Sequence, residues 1–427
     1  MHNKRVWAVL VLAGVFTACE QTSVKTVVSS LADVSSELLE AEGARPVTYQ
    51  GPITITKGGT YSGNWQSLDP KIPAVTIKTD ESVTIENSNI RSRGRVIDAP
   101  WNHTKITVRT TRARGLNPGQ PGKTQGRFIQ TYNNDSLIVE HNDLEGTMGI
   151  QVNTYAGNRD GQQTIRVRYN RVRNLIGQAS DGAGGYLSGS ARPADWDFSN
   201  FVQLYEVKDV PGIEIAWNEV INEPRKSRVE DVINFCRSGG ASQSWAEVHN
   251  NYIQGGYAYD PADKTYTGTG INTGDCFDGT RFGYVRVHDN QMVSFASGGT
   301  GSPPGPDYDV FDNRVVSSGT LADGTLLPRG IGLTVWDPTG NSKGKYTDRP
   351  VHDNVVGVMH LGAEGLYRCD GWWPEESKLA DGSDVWCKSG WFQNVALPDP
   401  ITLETERAEW VRWQQKLTSS RVSIGLR

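Results

Sequence analysis

From residue 85 onward the chain repeats one short pattern: an apolar residue, two variable positions, asparagine, one variable position and a second apolar residue. It reads Val139, Asn142, Leu144, then Val167, Asn170, Val172, and continues with Asn218, Asn251, Asn290, Asn313 and Asn354 in the same place. Weaker copies put Ser88, Thr111 and Asn394 there. Ten anchors separated by 23 to 48 residues are what one coil of a stacked repeat gives when loops of varying length are inserted. Apolar residues at alternate positions beside the turn predict short strands. The asparagine falls where a strand ends and the chain bends, and its tolerance of left-handed backbone suits it to that place. Stacked coils would line these asparagines into an inward ladder.

A second strand recurs after the asparagine turn, as Ile97-Asp98-Ala99, Ile129-Gln130-Thr131, Ile150-Gln151-Val152, Val202-Gln203-Leu204, Ile233-Asn234-Phe235 and Ile271-Asn272-Thr273. It falls once in each of the first six coils. Its outer residues are mostly apolar, so they face inward and the middle residue faces out. Asp98, Gln130, Gln151, Gln203, Asn234 and Asn272 are therefore expected to form one exposed polar row, with Tyr132 and Tyr205 on the same face.

The two ends read differently. Val24, Val27, Val28, Leu31, Val34 and Leu38 recur at helical spacing and Gly43 and Pro46 stop the pattern, which predicts a tether and N-terminal capping helix over 19–48. Trp410, Val411 and Trp413 lie in a second amphipathic stretch, Leu403 to Leu417, expected to cap the other end within 398–427. Between them, 49–397 is the solenoid.

Lys4 and Arg5, an apolar run from Val6 to Val15, and a small residue before Cys19 resemble a bacterial lipoprotein signal peptide, removed at residue 18 to leave Cys19 lipidated. The run is short of the ~20 residues needed to span a bilayer. This resemblance implies an extracytoplasmic chain held to the cell envelope by lipid alone. Cys236, Cys276, Cys369 and Cys387 remain, an even number for a disulfide-permissive compartment. The expected pairing is the local one, 236 with 276 and 369 with 387; free buried thiols are the other reading. A net charge of -5 lacks the basic excess of a nucleic-acid binder.

The repeat resembles the right-handed parallel β-helix of the pectin lyase-like proteins over residues 50–397. The resemblance implies an all-β solenoid of about ten coils with short helical caps, and a polysaccharide or cell-surface glycan lying along an outward sheet beside long loops. Those loops carry Tyr186, Trp196 and Phe198, then Tyr257, Tyr259 and Tyr266, then Trp336. Aromatic faces stack on sugar rings while Gln130, Gln151, Gln203, Asn234, Asn272, Tyr132 and Tyr205 offer polar groups to hydroxyls. Acid–base chemistry needs carboxylates or a base with a neutralising cation, and Asp231, Arg237 and Asp275 are the candidates. No cofactor is expected, with calcium the alternative at Asp289, Asp312 and Asp353, which hold one position of three successive coils. Two functions stay open: an enzyme, lyase ahead of hydrolase, and a non-catalytic structural or adhesive surface protein.

Overall fold

The computed structural model describes residues 47–276, 282–303, 305–335, 351–372, 387 and 393–427. Cys19 and residues 19–46 of the expected tether and capping helix, like Trp336, lie outside them. Each coil of the unit that begins at Tyr49 contributes one strand to each of three parallel sheets, the first starting with Ile53–Ile55, the second with Gly59–Tyr61 and the third with Asn64–Ser67, and the chain climbs from coil to coil as a right-handed parallel β-helix. Ten coils carry all three strands, from Ile53–Ile55 at the start to Val355–Gly362. The first of them went unseen in the sequence because Gly63 stands where later coils have the anchor side chain; its backbone N–H donates to Ser88 Oγ at 3.1 Å.

Inward columns of β-branched and aliphatic residues, such as Val75, Ile97, Ile129, Ile150, Val202, Ile233 and Ile271, make one continuous core. The asparagine ladder runs through it from Asn142 to Asn394. Each Nδ2 donates to the next coil's Oδ1 at 2.9–3.0 Å, and each backbone N–H shares the same acceptor. The left-handed backbone is not at these asparagines. It is at the residue before each, including His141, Tyr169, Trp217, Asn250, Asp289, Asp312 and Asp353, at φ 52 to 59°. The strained turn residue points outward, while the asparagine keeps ordinary backbone and turns its amide inward to saturate the bend.

Asp289, Asp312 and Asp353, the calcium alternative, therefore stand on the outer corner of the second sheet. Asp289 and Asp353 each accept from the neighbouring imidazole, His288 Nδ1 at 2.9 Å and His352 Nδ1 at 2.8 Å. These rings belong to a stacked column, His249, His288, Phe311 and His352, with centroids 5.0–5.6 Å apart.

The C-terminal helix forms as α1, Leu403–Ser420, started by a capping box between Thr402 and Thr405. It lies along the flank of the third sheet rather than across the end of the solenoid. Glu219, Tyr252, Gln291 and Arg314 occupy one outward column of four successive strands, and α1 covers them. Trp413 packs on Tyr252 and donates to Glu219 Oε2 at 2.9 Å, while Glu409 accepts from Gln291 and Arg314. A column that carries a buried tyrosine and charges needing partners offers the helix more than the bare coil end does. Among the described residues no helix is long and apolar enough to cross a membrane. The two disulfides are the local pairs, Cys236–Cys276 and Cys369–Cys387.

Candidate functional site

Strand pairing in the first sheet places Asp98, Gln130, Gln151, Gln203, Asn234 and Asn272 opposite one another on consecutive rungs. The row starts two coils earlier than expected, with Thr54 and Thr76, and runs on through Gly301 and Thr334 to Trp372. Eight of its members, from Gln130 to Trp372, line the floor of an open groove of about 1430 Å³. They are not the exposed row that alternation predicts: Gln130 and Gln203 are 8% exposed and Asn234 only 1%. Loops between coils rise beside them and bury them from the flank. Within the floor the amides bond in series, Gln130 Nε2 to Gln151 Oε1 at 2.9 Å and Gln151 Nε2 to Gln203 Oε1 at 2.8 Å. Tyr205 lines the groove; Tyr132 instead accepts from Gln130 Nε2 at 2.7 Å at the end of the series.

One wall is a second row that the sequence reading missed. The residue three before each member of the floor row from Asp98 to Gly301 projects beside the floor, giving Arg95, Arg127, Met148, Asn200, Asp231, Thr269 and Gly298 on successive coils, all in the groove lining. The signal was present as a fixed offset from the floor row, but unlike the floor amides its residues share no side-chain chemistry that marks a column. Arg127 is buried and donates to Met148 O and Phe198 O, each at 2.7 Å, and burial lowers its guanidinium to about 10, so it stays charged at neutral pH. Asn200 Nδ2 donates to Asp231 O at 2.7 Å. Of the loop aromatics, Trp196 and Phe198 line the groove, with Arg228 stacked 3.5 Å from the Trp196 ring and Arg192 3.9 Å from Phe198. Tyr257 and Tyr266 are buried packing residues, and Tyr186 packs on Tyr259.

Asp231 and Asp275 meet over Asn234. The two protons of its Nδ2 go to Asp231 Oδ2 at 2.6 Å and Asp275 Oδ2 at 2.8 Å, and its Oδ1 is buried with no partner among the described residues. Asp231 also accepts from Thr269 N and Oγ1, each at 2.7 Å, and from Asn272 Nδ2 at 3.2 Å. Burial, reinforced by the charges of Glu230 and Asp275, pushes the Asp231 carboxyl up to about 7. Glu230 is also raised, chiefly by burial. Asp275 reaches this position because the pairing of its strand with Ile233–Cys236 shifts register after Asn234, where Cys236 falls opposite Asp275 and is bridged to Cys276.

Arg237 is not brought into this cluster. It sits at a left-handed corner, φ 48°, that swings its side chain off the floor, and it pairs with Glu206 at 2.6 Å and donates to the Tyr205 hydroxyl at 2.7 Å. No family model matches the chain, and no curated protein matches it. Among solved structures, a PL6 family polysaccharide lyase from Pseudopedobacter saltans is similar over 92% of this chain and 94% of its own, at 11% identity and a TM-score of 0.29.

Proposed function

We propose that the chain binds a polysaccharide in this groove, outside the cytoplasm, and cleaves it by acid–base chemistry at Glu230, Asp231 and Asp275. The observation that carries the proposal is a carboxyl held near pH 7, linked through one amide to a second, half-exposed carboxyl, on the floor of an open groove built from amides and edged by Trp196. A group with a pKa near the working pH can both hold and release a proton. Amides and an aromatic edge suit sugar hydroxyls and ring faces. Arg237, the candidate cation, is turned to Glu206 and Tyr205, and the two carboxyls that do meet favour hydrolysis over elimination.

Adhesion without chemistry is the second reading, favoured by the amide floor, since amides bond hydroxyls and transfer no protons. Incubation with a panel of acidic and neutral polysaccharides separates these. New reducing ends without unsaturated-product absorbance support hydrolysis, absorbance supports elimination, and binding with neither product leaves adhesion.

The proposal also anchors the chain to the envelope through Cys19; the two disulfides fit an oxidising compartment. Cys19→Ala should abolish incorporation of a fatty-acid label and move the protein to the soluble fraction. Undiminished labelling of that variant rejects the anchor.

A further inference from the structure

The groove changes sign along its length. Its lining holds Lys71, Arg95, Lys123 and Arg127 on the early coils and Glu230, Asp231 and Asp275 on later ones. The wall row shows the change directly, passing from Arg95 and Arg127 through uncharged Met148 and Asn200 to Asp231. Arg95 stands four coils before Asp231, roughly 19 Å at the spacing of neighbouring strands, which is the length of several sugar residues. Between them, Arg192 is offset by Asp197 at 3.2 Å.

The cations of the early end are not consumed by the fold. Lys71 and Lys123 are exposed and have no carboxylate partner among the described residues. Arg127 gives its hydrogen bonds to carbonyl and amide oxygens, none of them charged. Arg95 meets Asp98 only at 3.5 Å. On the later coils burial raises Glu230 and Asp231; Glu230 is paired with Arg228 at 3.3 Å, while Asp231 and Asp275 are joined through the Asn234 amide, so an anion laid over them would meet repulsion inside a partly desolvated cleft.

Resting on the polysaccharide reading above, we propose that the ligand is a mixed glycan: a sugar bearing a carboxylate or sulfate lies against Lys71, Arg95 and Lys123, and an uncharged sugar lies over Glu230, Asp231 and Asp275. A chain charged at every residue would satisfy the first end and be repelled at the second. An uncharged chain would leave the cations without a counterion.

The test is calorimetric titration of the full chain with four sets of oligosaccharides of matched length. They are cello-oligosaccharides, uncharged; oligogalacturonates, charged at every residue; hyaluronan fragments, with uronate alternating with a neutral sugar; and κ-carrageenan fragments, with sulfate on alternate residues. At least one alternating set should bind tenfold or more tighter than both others, and which of the two wins distinguishes carboxylate from sulfate. The double variant Lys71→Gln, Lys123→Gln, at two exposed positions, should lose most of that preference, and the parent's preference should shrink at high salt. Glu230→Gln should improve binding of the oligogalacturonate. Equal affinity for the cello-oligosaccharide and the alternating sets overturns the cationic subsite, and tightest binding of the oligogalacturonate overturns the neutral one. Failure of all four sets to bind would instead reject the polysaccharide reading itself.

Discussion

Replacing Asn251 with leucine should lower the stability of the solenoid by about 3 kcal/mol, because it leaves several buried groups unpaired at once. The side chain is 1% exposed. Its Oδ1 accepts from both the backbone and the side chain of Asn218, and its Nδ2 donates to Asn290 Oδ1 and to the carbonyls of Ile215 and His249. Leucine has nearly the same size, so the loss is not that of a cavity. It is the desolvation of neighbours that are themselves shut off from water, since Asn218 and Asn290 are both 0% exposed. Thermal and urea unfolding of parent and variant measure the effect. A melting temperature equal to the parent's would show that the ladder does not hold the coils together.

Asp275→Asn should lower turnover of a polysaccharide that the parent cleaves by about 10²- to 10⁴-fold, the usual range for loss of a positioned acid or base, with glycan affinity changed only a few-fold. The side chain is half-buried at the groove floor, its Oδ2 accepting from Asn234 and its Oδ1 from the Cys276 N–H, so the isosteric amide removes charge and proton transfer and keeps the shape while giving up one of these two bonds. The substitution has a second signature. The negative charge of Asp275 helps raise Asp231, so its removal lowers the Asp231 pKa and moves the corresponding limb of the pH–rate profile to lower pH. Turnover within threefold of the parent, with an unmoved profile, would place the chemistry elsewhere.

Asp231 also gives stability a sign with pH. Its carboxyl is raised from 3.8 to about 7 on folding, so between those values the folded chain holds a proton that the unfolded chain has released. This contribution therefore weakens stability as pH climbs through that window and levels off above it.

The solenoid was legible in the sequence because its determinant is local and repeated. One coil must turn at a fixed place, and each turn needs a side chain able to saturate the bend, so Asn142 to Asn354 recur in sequence as they do in space. The same period carried the register of Gln130, Gln151, Gln203, Asn234 and Asn272, since alternation along a strand is set by the backbone itself. What alternation does not contain is what lies above the strand. Gln203 and Asn234 are buried because Arg127, Asn200 and Asp231 close over them; that wall row keeps the spacing of the floor row, but its residues share no chemistry by which a column would be read. The partners of single residues were likewise beyond reach. Arg237 follows Cys236 by one residue, yet a left-handed corner turns it to Glu206, while Asp275, 41 residues beyond Asn234, arrives at its amide through a register shift. The place of α1 was decided by the column it covers, because an amphipathic pattern states that a face must be buried and leaves the surface that buries it to the folded chain.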